Sequence, residues 1–183
     1  MAPPTFLAPA RVDTGIYYDE TLPAREAELG VDMLGLHYLA HFYAAEALYG
    51  DGHRTDPPVK WLDEIVTLML EHYLQEAIDP AFADYGRRAE ADALTRTDPR
   101  VTDLPGFDRE YRRYFVTAAG GGDYAWFLAR LARWAAEIRA THGFGVLRRL
   151  RDGLAEAPAP LTTSGALRLL ENLEVPIPDW VGK

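Results

Sequence analysis

The chain has 183 residues, 48% hydrophobic and 26% charged, the proportions of a globular protein about one domain long rather than of a disordered one. A formal net charge of −9 argues against a broad basic face for nucleic acid, and the lack of cysteine excludes disulfides, thiolate catalysis and thiolate metal sites. No stretch approaches the ~18 uninterrupted apolar residues of a bilayer span, and Met1 to Ala10 has neither a basic start nor a long apolar run.

The expectation is therefore a cytoplasmic protein with no membrane or nucleic-acid partner; the local cluster Arg148, Arg149 and Arg151 reads as a solvated helix face. Abundant Ala, Arg, Gly and Pro beside two lysines suggests a GC-rich bacterial source.

In chain order, the first ten residues are proline-rich and irregular, Val12 to Tyr18 could form one short strand, and Pro23 suits the first turn of a short helix. A helix follows from about Val31 to Tyr49, stopped by Gly50-Asp51-Gly52. It is apolar nearly all the way round, so it is expected inside the domain rather than on its surface. Within it, His37 and His41 stand four residues apart, which sets both imidazoles on one face, one turn apart. That spacing suits two ligands of a tetrahedral metal.

The next helix begins after Pro57-Pro58 and runs to about Ile78, carrying Asp63, Glu64, Glu71, His72 and Gln75 among apolar residues. A mostly apolar helix has a reason to bury a carboxylate when that group is paired or binds a metal, since isolated burial is very costly. Two histidines and Glu64 would leave a fourth position open for water or substrate, as catalytic zinc sites do. Zn2+ fits His2Glu donors best, although nickel, cobalt and iron share this ligand type. Asp63 is an alternative ligand, pointing about 100° away from Glu64.

Further helices are expected over Ala83 to Leu94, Phe107 to Val116, Tyr124 to Thr141 and Val146 to Leu154, with a last one capped by Ser164 and reaching Leu173. Gly120-Gly121-Gly122 reads as a flexible break, with Asp123 as the N-cap of the helix after it. His53 and His72 read as bystanders, and His142 as a helix C-terminal cap favoured by the dipole. Trp61, Trp126 and Trp134 read as core or interface aromatics. The whole chain, residues 1–183, is expected to be one mainly α domain, a compact bundle of five to seven helices with at most a minor β element.

The run His37-Tyr-Leu-Ala-His41, then Pro57-Pro-Val-Lys-Trp-Leu-Asp-Glu64, then Asp123-Tyr-Ala-Trp-Phe-Leu-Ala-Arg-Leu-Ala-Arg-Trp134, then Thr141-His-Gly-Phe-Gly-Val-Leu-Arg-Arg-Leu150 resembles the helical half of gluzincin metallopeptidases. In that family an HExxH helix is followed by one bearing the glutamate ligand, and the resemblance covers about residues 31 to 154. It implies that His37, His41 and Glu64 are the metal ligands. It also sets Tyr38 where the family has its general-base glutamate, and Ile65 where a glycine often follows the ligand.

A phenol with an unperturbed pKa near ~10 is a poor base at neutral pH, so ordinary peptidase activity is not expected. Three readings stay open: non-peptidase Lewis-acid chemistry on a small-molecule or peptide-like substrate with Tyr38 as proton donor, a degenerate non-catalytic binding module, or hydrolysis with another carboxylate as base. For that last role Glu71, two turns from Glu64 on the same face, is the candidate, against an ordinary helix-pairing carboxylate. Tyr124, 60 residues beyond Glu64, matches a family tyrosine that stabilises the oxyanion, against an ordinary amphipathic-helix tyrosine.

Overall fold

The structure, a computed structural model, describes residues 26–28, 30, 33–50, 59–95, 99–114 and 118–181, without the side chains of residues 34 and 111–122. The strand expected at Val12 to Tyr18, the helix expected at Pro23, and His53 lie outside the described residues. Helices follow in the order α1 Met33–Tyr49, α2 Lys60–Ile78, α3 Pro80–Leu94, α4 Leu104–Tyr114, α5 Ala118–His142, α6 Gly145–Glu156 and α7 Thr163–Asn172. Among the described residues no strand is present, and the fold is mainly α as expected. None of these helices is long and apolar enough to cross a membrane.

Helix α2 is the axle of the bundle, packing against α1, α3, α4 and α5. Its apolar residues Trp61, Leu62, Ile65, Val66, Leu68 and Met69 are buried, and so is a polar stripe, Glu64, Thr67, Glu71 and Gln75. Spacings of three and four place that stripe on one face. Its N-terminus is held from a distance: Asp108 Oδ1, on α4, accepts from the backbone N–H of Lys60 at 3.0 Å and of Trp61 at 3.3 Å. Asp108 Oδ2 accepts from the Thr163 hydroxyl at 2.9 Å, tying α7 to the same point. The donors are orphan N–H groups of a helix start, and a carboxylate there also meets the positive end of the helix dipole. Burial nevertheless pushes the Asp108 carboxyl above its usual range, more than these hydrogen bonds lower it.

The core spreads from α2 to α5, where Trp61 stacks on Trp134 with centroids 5.7 Å apart and Phe107 meets Phe127 at 4.8 Å. The Trp134 indole N–H donates to Pro176 O at 2.8 Å, so the C-terminal tail is fastened over this core.

Four expectations are corrected. Helix α1 is not enclosed: Met33, Leu36, Ala40, Ala44 and Leu48 are buried, whereas Tyr38, Leu39, Phe42 and Tyr43 are exposed. Its neighbours α2 and α6 cover only one side of it. Gly120-Gly121-Gly122 does not break the chain but lies inside the first turns of α5. Asp123 is therefore no N-cap; it is buried and accepts from Arg100 Nε at 2.8 Å. Glycine disfavours a helix by only about 1 kcal/mol per residue, which the packing of the helix beyond it overrides. Finally, Thr162 rather than Ser164 caps α7, its hydroxyl accepting from Gly165 N at 3.2 Å.

Candidate metal centre

The buried stripe of α2 faces the histidine side of α1, and there His37, His41 and Glu64 each bring one donor atom within 4.8 Å of the others. Glu64 is fully buried, while the side chains of His37 and His41 keep 12% and 24% exposure, so the cluster sits just under the surface. The two Nε2 atoms lie 3.2 Å apart, and Glu64 Oε2 is 3.6 Å from His41 Nε2 and 4.0 Å from His37 Nε2. Donors about 2.0–2.1 Å from a tetrahedral zinc ion stand about 3.3 Å from one another, so the three separations bracket that value. The donor set thus fits a divalent ion after a shift of a few tenths of an ångström in the Glu64 side chain.

The outer contacts set the chemistry of the rings. His37 Nδ1 is 2.8 Å from Glu71 Oε2, and His41 Nδ1 is 3.2 Å from Asp63 Oδ2 and 3.0 Å from Thr67 Oγ1. A carboxylate is an acceptor, so each Nδ1 carries a hydrogen to donate to it, and each neutral ring then has its lone pair on Nε2. Carboxylate–histidine pairs of this kind fix the tautomer and orientation of metal-binding imidazoles. Two lone pairs and a carboxylate oxygen now converge on one point, and they repel unless a cation stands among them. That cation is either a metal ion or a proton.

The proton's hold is visible at His37. Burial by itself lowers its pKa; Glu71, by charge and hydrogen bond, with Glu64 and Asp63 behind it, more than offsets this and pushes it up to about 9.

The remaining side chains singled out in the sequence divide clearly. The Tyr124 hydroxyl does reach the cluster, donating to Glu64 Oε1 at 3.1 Å, and so orients the acid. Glu71 is buried on the Nδ1 side of His37, where it holds the ring instead of facing the point between the donors, and Gln75 Nε2 donates to its Oε1 at 2.9 Å. Asp63 stands outside the donor set as the partner of His41. Tyr38 is 56% exposed, with its ring centroid 6.3 Å from that of His37. His72 is turned to another partner, Glu90 Oε1 at 2.7 Å. Sequence reasoning missed Glu71, Asp63 and Thr67 as supports of the rings and Gln75 as the support of Glu71, although polar residues recurring at 64, 67, 71 and 75 in an apolar helix were a signal for all but Asp63.

No family model matches the chain, and no curated protein or solved structure does.

Proposed function

We propose that the protein is a metal-dependent enzyme, with zinc as the ion, in which His37, His41 and Glu64 are the ligands and a small carbonyl or peptide-like molecule is the substrate. The observation that carries this reading is the pair of carboxylate-backed imidazoles, both presenting Nε2 to the same carboxylate oxygen. The His-x3-His and Glu arrangement is what the gluzincin resemblance implies, and it supports placing the chain beside that group as a member without the usual glutamate. When bound, the ion supplies Lewis-acid polarisation of a carbonyl oxygen at its open position.

The chain's own residues do the rest. Glu71 and Asp63 keep the ring protons on Nδ1 and the lone pairs on Nε2, and Tyr124 holds Glu64 through Oε1 so that Oε2 turns to the histidines. Partial exposure of His37 and His41 gives a substrate access from the α1 side. Tyr38 brings a phenol hydroxyl to that exposed side and serves as the proton donor. The nearby carboxylates Glu71 and Asp63 face the Nδ1 atoms, which favours Lewis-acid chemistry without a carboxylate base over ordinary peptide hydrolysis. The exposure of Tyr38 equally suits a second reading, a non-catalytic module that keeps the site for binding.

Elemental analysis of protein purified without added metal tests the reading: about one equivalent of zinc is expected, and His41→Ala should remove it. Less than about a tenth of an equivalent, with no uptake from micromolar zinc, would overturn it. Metal retained without turnover of any ester, amide or carbonyl substrate would favour the binding module.

A further inference from the structure

Among the described residues seven large apolar side chains are exposed, and four of them, Tyr38, Leu39, Phe42 and Tyr43, stand together on α1. With exposed Gly35 before them and exposed Glu46 after, they are spaced three and four residues apart and form one stripe along the helix. It runs along the side of α1 turned away from the buried Met33, Leu36, Ala40, Ala44 and Leu48. In its 17 residues α1 has a single Asp, Glu, Lys or Arg, Glu46, although 26% of the whole chain is charged. A helix side that meets only water carries charged and polar residues, and this one does not.

Size separates the stripe from a scatter of surface residues. An aromatic side chain buries about 150–250 Å2, so three at about half exposure, with Leu39, present roughly 400 Å2 of apolar surface. Patches of about 300–600 Å2 on a monomer are often functional. Specific interfaces are about 60% apolar, so this patch corresponds to roughly 650 Å2 on each partner and about 1,300 Å2 in all. That lies inside the range of about 1,200–2,000 Å2 found for stable specific complexes.

The order of the side chains says what the partner is. The stripe is symmetric in position about the middle of α1, between Ala40 and His41. Laid antiparallel on itself, it sets Leu39 against Phe42, Tyr38 against Tyr43, and Gly35 against Glu46. Gly35 leaves room for the longer Glu46 side chain where the two helices would otherwise crowd. The two Glu46 carboxylates fall at opposite ends, about 16 Å apart along the helix and beyond the screening length in ordinary salt. The net charge of −9 on each copy therefore does not meet itself across the seam.

We infer that the protein forms a dimer in which α1 packs antiparallel on α1 of a second copy about a two-fold axis. A two-fold contact needs one patch that matches itself, which this stripe supplies. The inference rests on α1 alone and holds whether or not a metal occupies the histidines. It also brings the seam beside the metal centre: Tyr38, about 100° round the helix from His37, lies on the edge of the stripe nearest the histidines. Its ring packs in the seam while the hydroxyl stays at the rim, as tyrosines at interfaces do.

The test is sedimentation velocity on the full chain, with chelator present so that no shared metal ion can join two copies. The wild type is expected to pass from 20.5 kDa to about twice that mass as its concentration rises from about 1 to 200 μM. Phe42→Glu and Leu39→Lys, both at exposed positions, should each weaken the dimer roughly a hundredfold with the melting temperature unchanged, because each sets a charge in the apolar seam. Mixed in equal amounts the two variants should pair again, since the antiparallel register sets the new carboxylate beside the new ammonium. Tyr73→Glu, at an equally exposed aromatic on α2, should leave the dimer intact. A wild type that stays monomeric to about 200 μM would overturn the inference and leave the face to a different protein. It is overturned as well if Phe42→Glu dimerises as the wild type does, if Tyr73→Glu dissociates the dimer equally, or if the mixed variants remain monomeric.

Discussion

Glu71→Gln exchanges a buried carboxylate for an amide of nearly the same size, and the geometry says what is lost. Two donors point at Glu71: His37 Nδ1 at 2.8 Å on Oε2 and Gln75 Nε2 at 2.9 Å on Oε1. An amide has one acceptor oxygen, so it satisfies one donor and turns its own N–H toward the other. The mismatch leaves a buried donor unsatisfied, at about 1–3 kcal/mol in the metal-free protein.

For the metal the effect is separable. Without the carboxylate, His37 loses the partner that fixes its tautomer and raises its basicity, and loss of such a partner weakens metal binding about 10–100-fold. That is about 1.4–2.7 kcal/mol in binding free energy. Competition with a chromogenic chelator, run on the folded variant beside the wild type, measures it directly. A dissociation constant within about twofold of wild type would refute the reasoning, because Glu71 would then be a packing residue with no hold on the ring.

Two further outcomes follow from the same contacts. His37 has its pKa raised from 6.5 to about 9, so in the chelated protein its contribution to stability is fully present below pH 6.5 and is lost as pH rises through about 9. Urea denaturation in the presence of chelator should therefore give lower stability at pH 9.5 than at pH 6, by a few kcal/mol at most, whereas zinc affinity should rise over the same window as the metal displaces the proton. Equal stability at the two pH values would remove the acid cluster as the cause. Asp108→Ala strips the start of α2 of its distant cap and the Thr163 hydroxyl of its acceptor; a loss of roughly 1–2 kcal/mol and several degrees in melting temperature is expected by thermal scanning.

Much of this protein was legible before any coordinates. Helical periodicity, with Gly50-Asp51-Gly52 as the stop of the first helix, placed most helix ends within about three residues, because a positive φ at Gly50 acts locally, but α5 starts at Ala118, well before the expected Tyr124. His37 and His41 were paired by helix geometry alone, since side chains four residues apart on one helix are neighbours wherever the helix goes. That an acid in the apolar second helix would be paired or metal-bound followed from the cost of burying it, while Glu64 rather than Asp63 as the ligand was what the gluzincin resemblance implied.

What surrounds those three could not be read in the same way. Whether Glu71 backs His37 or faces the open position depends on the rotation of α2 against α1, and a helix of buried residues on several faces does not announce that rotation. Asp108, 48 residues from Lys60, caps α2 only because α4 crosses its start. The exposed side of α1 was misread for the same reason: composition records how apolar a helix is, and only the packing of its neighbours decides which side they cover. Local chain geometry thus placed the two histidines, and the orientation of whole helices against one another, a long-range property of the packed bundle, decided what stands behind each of them.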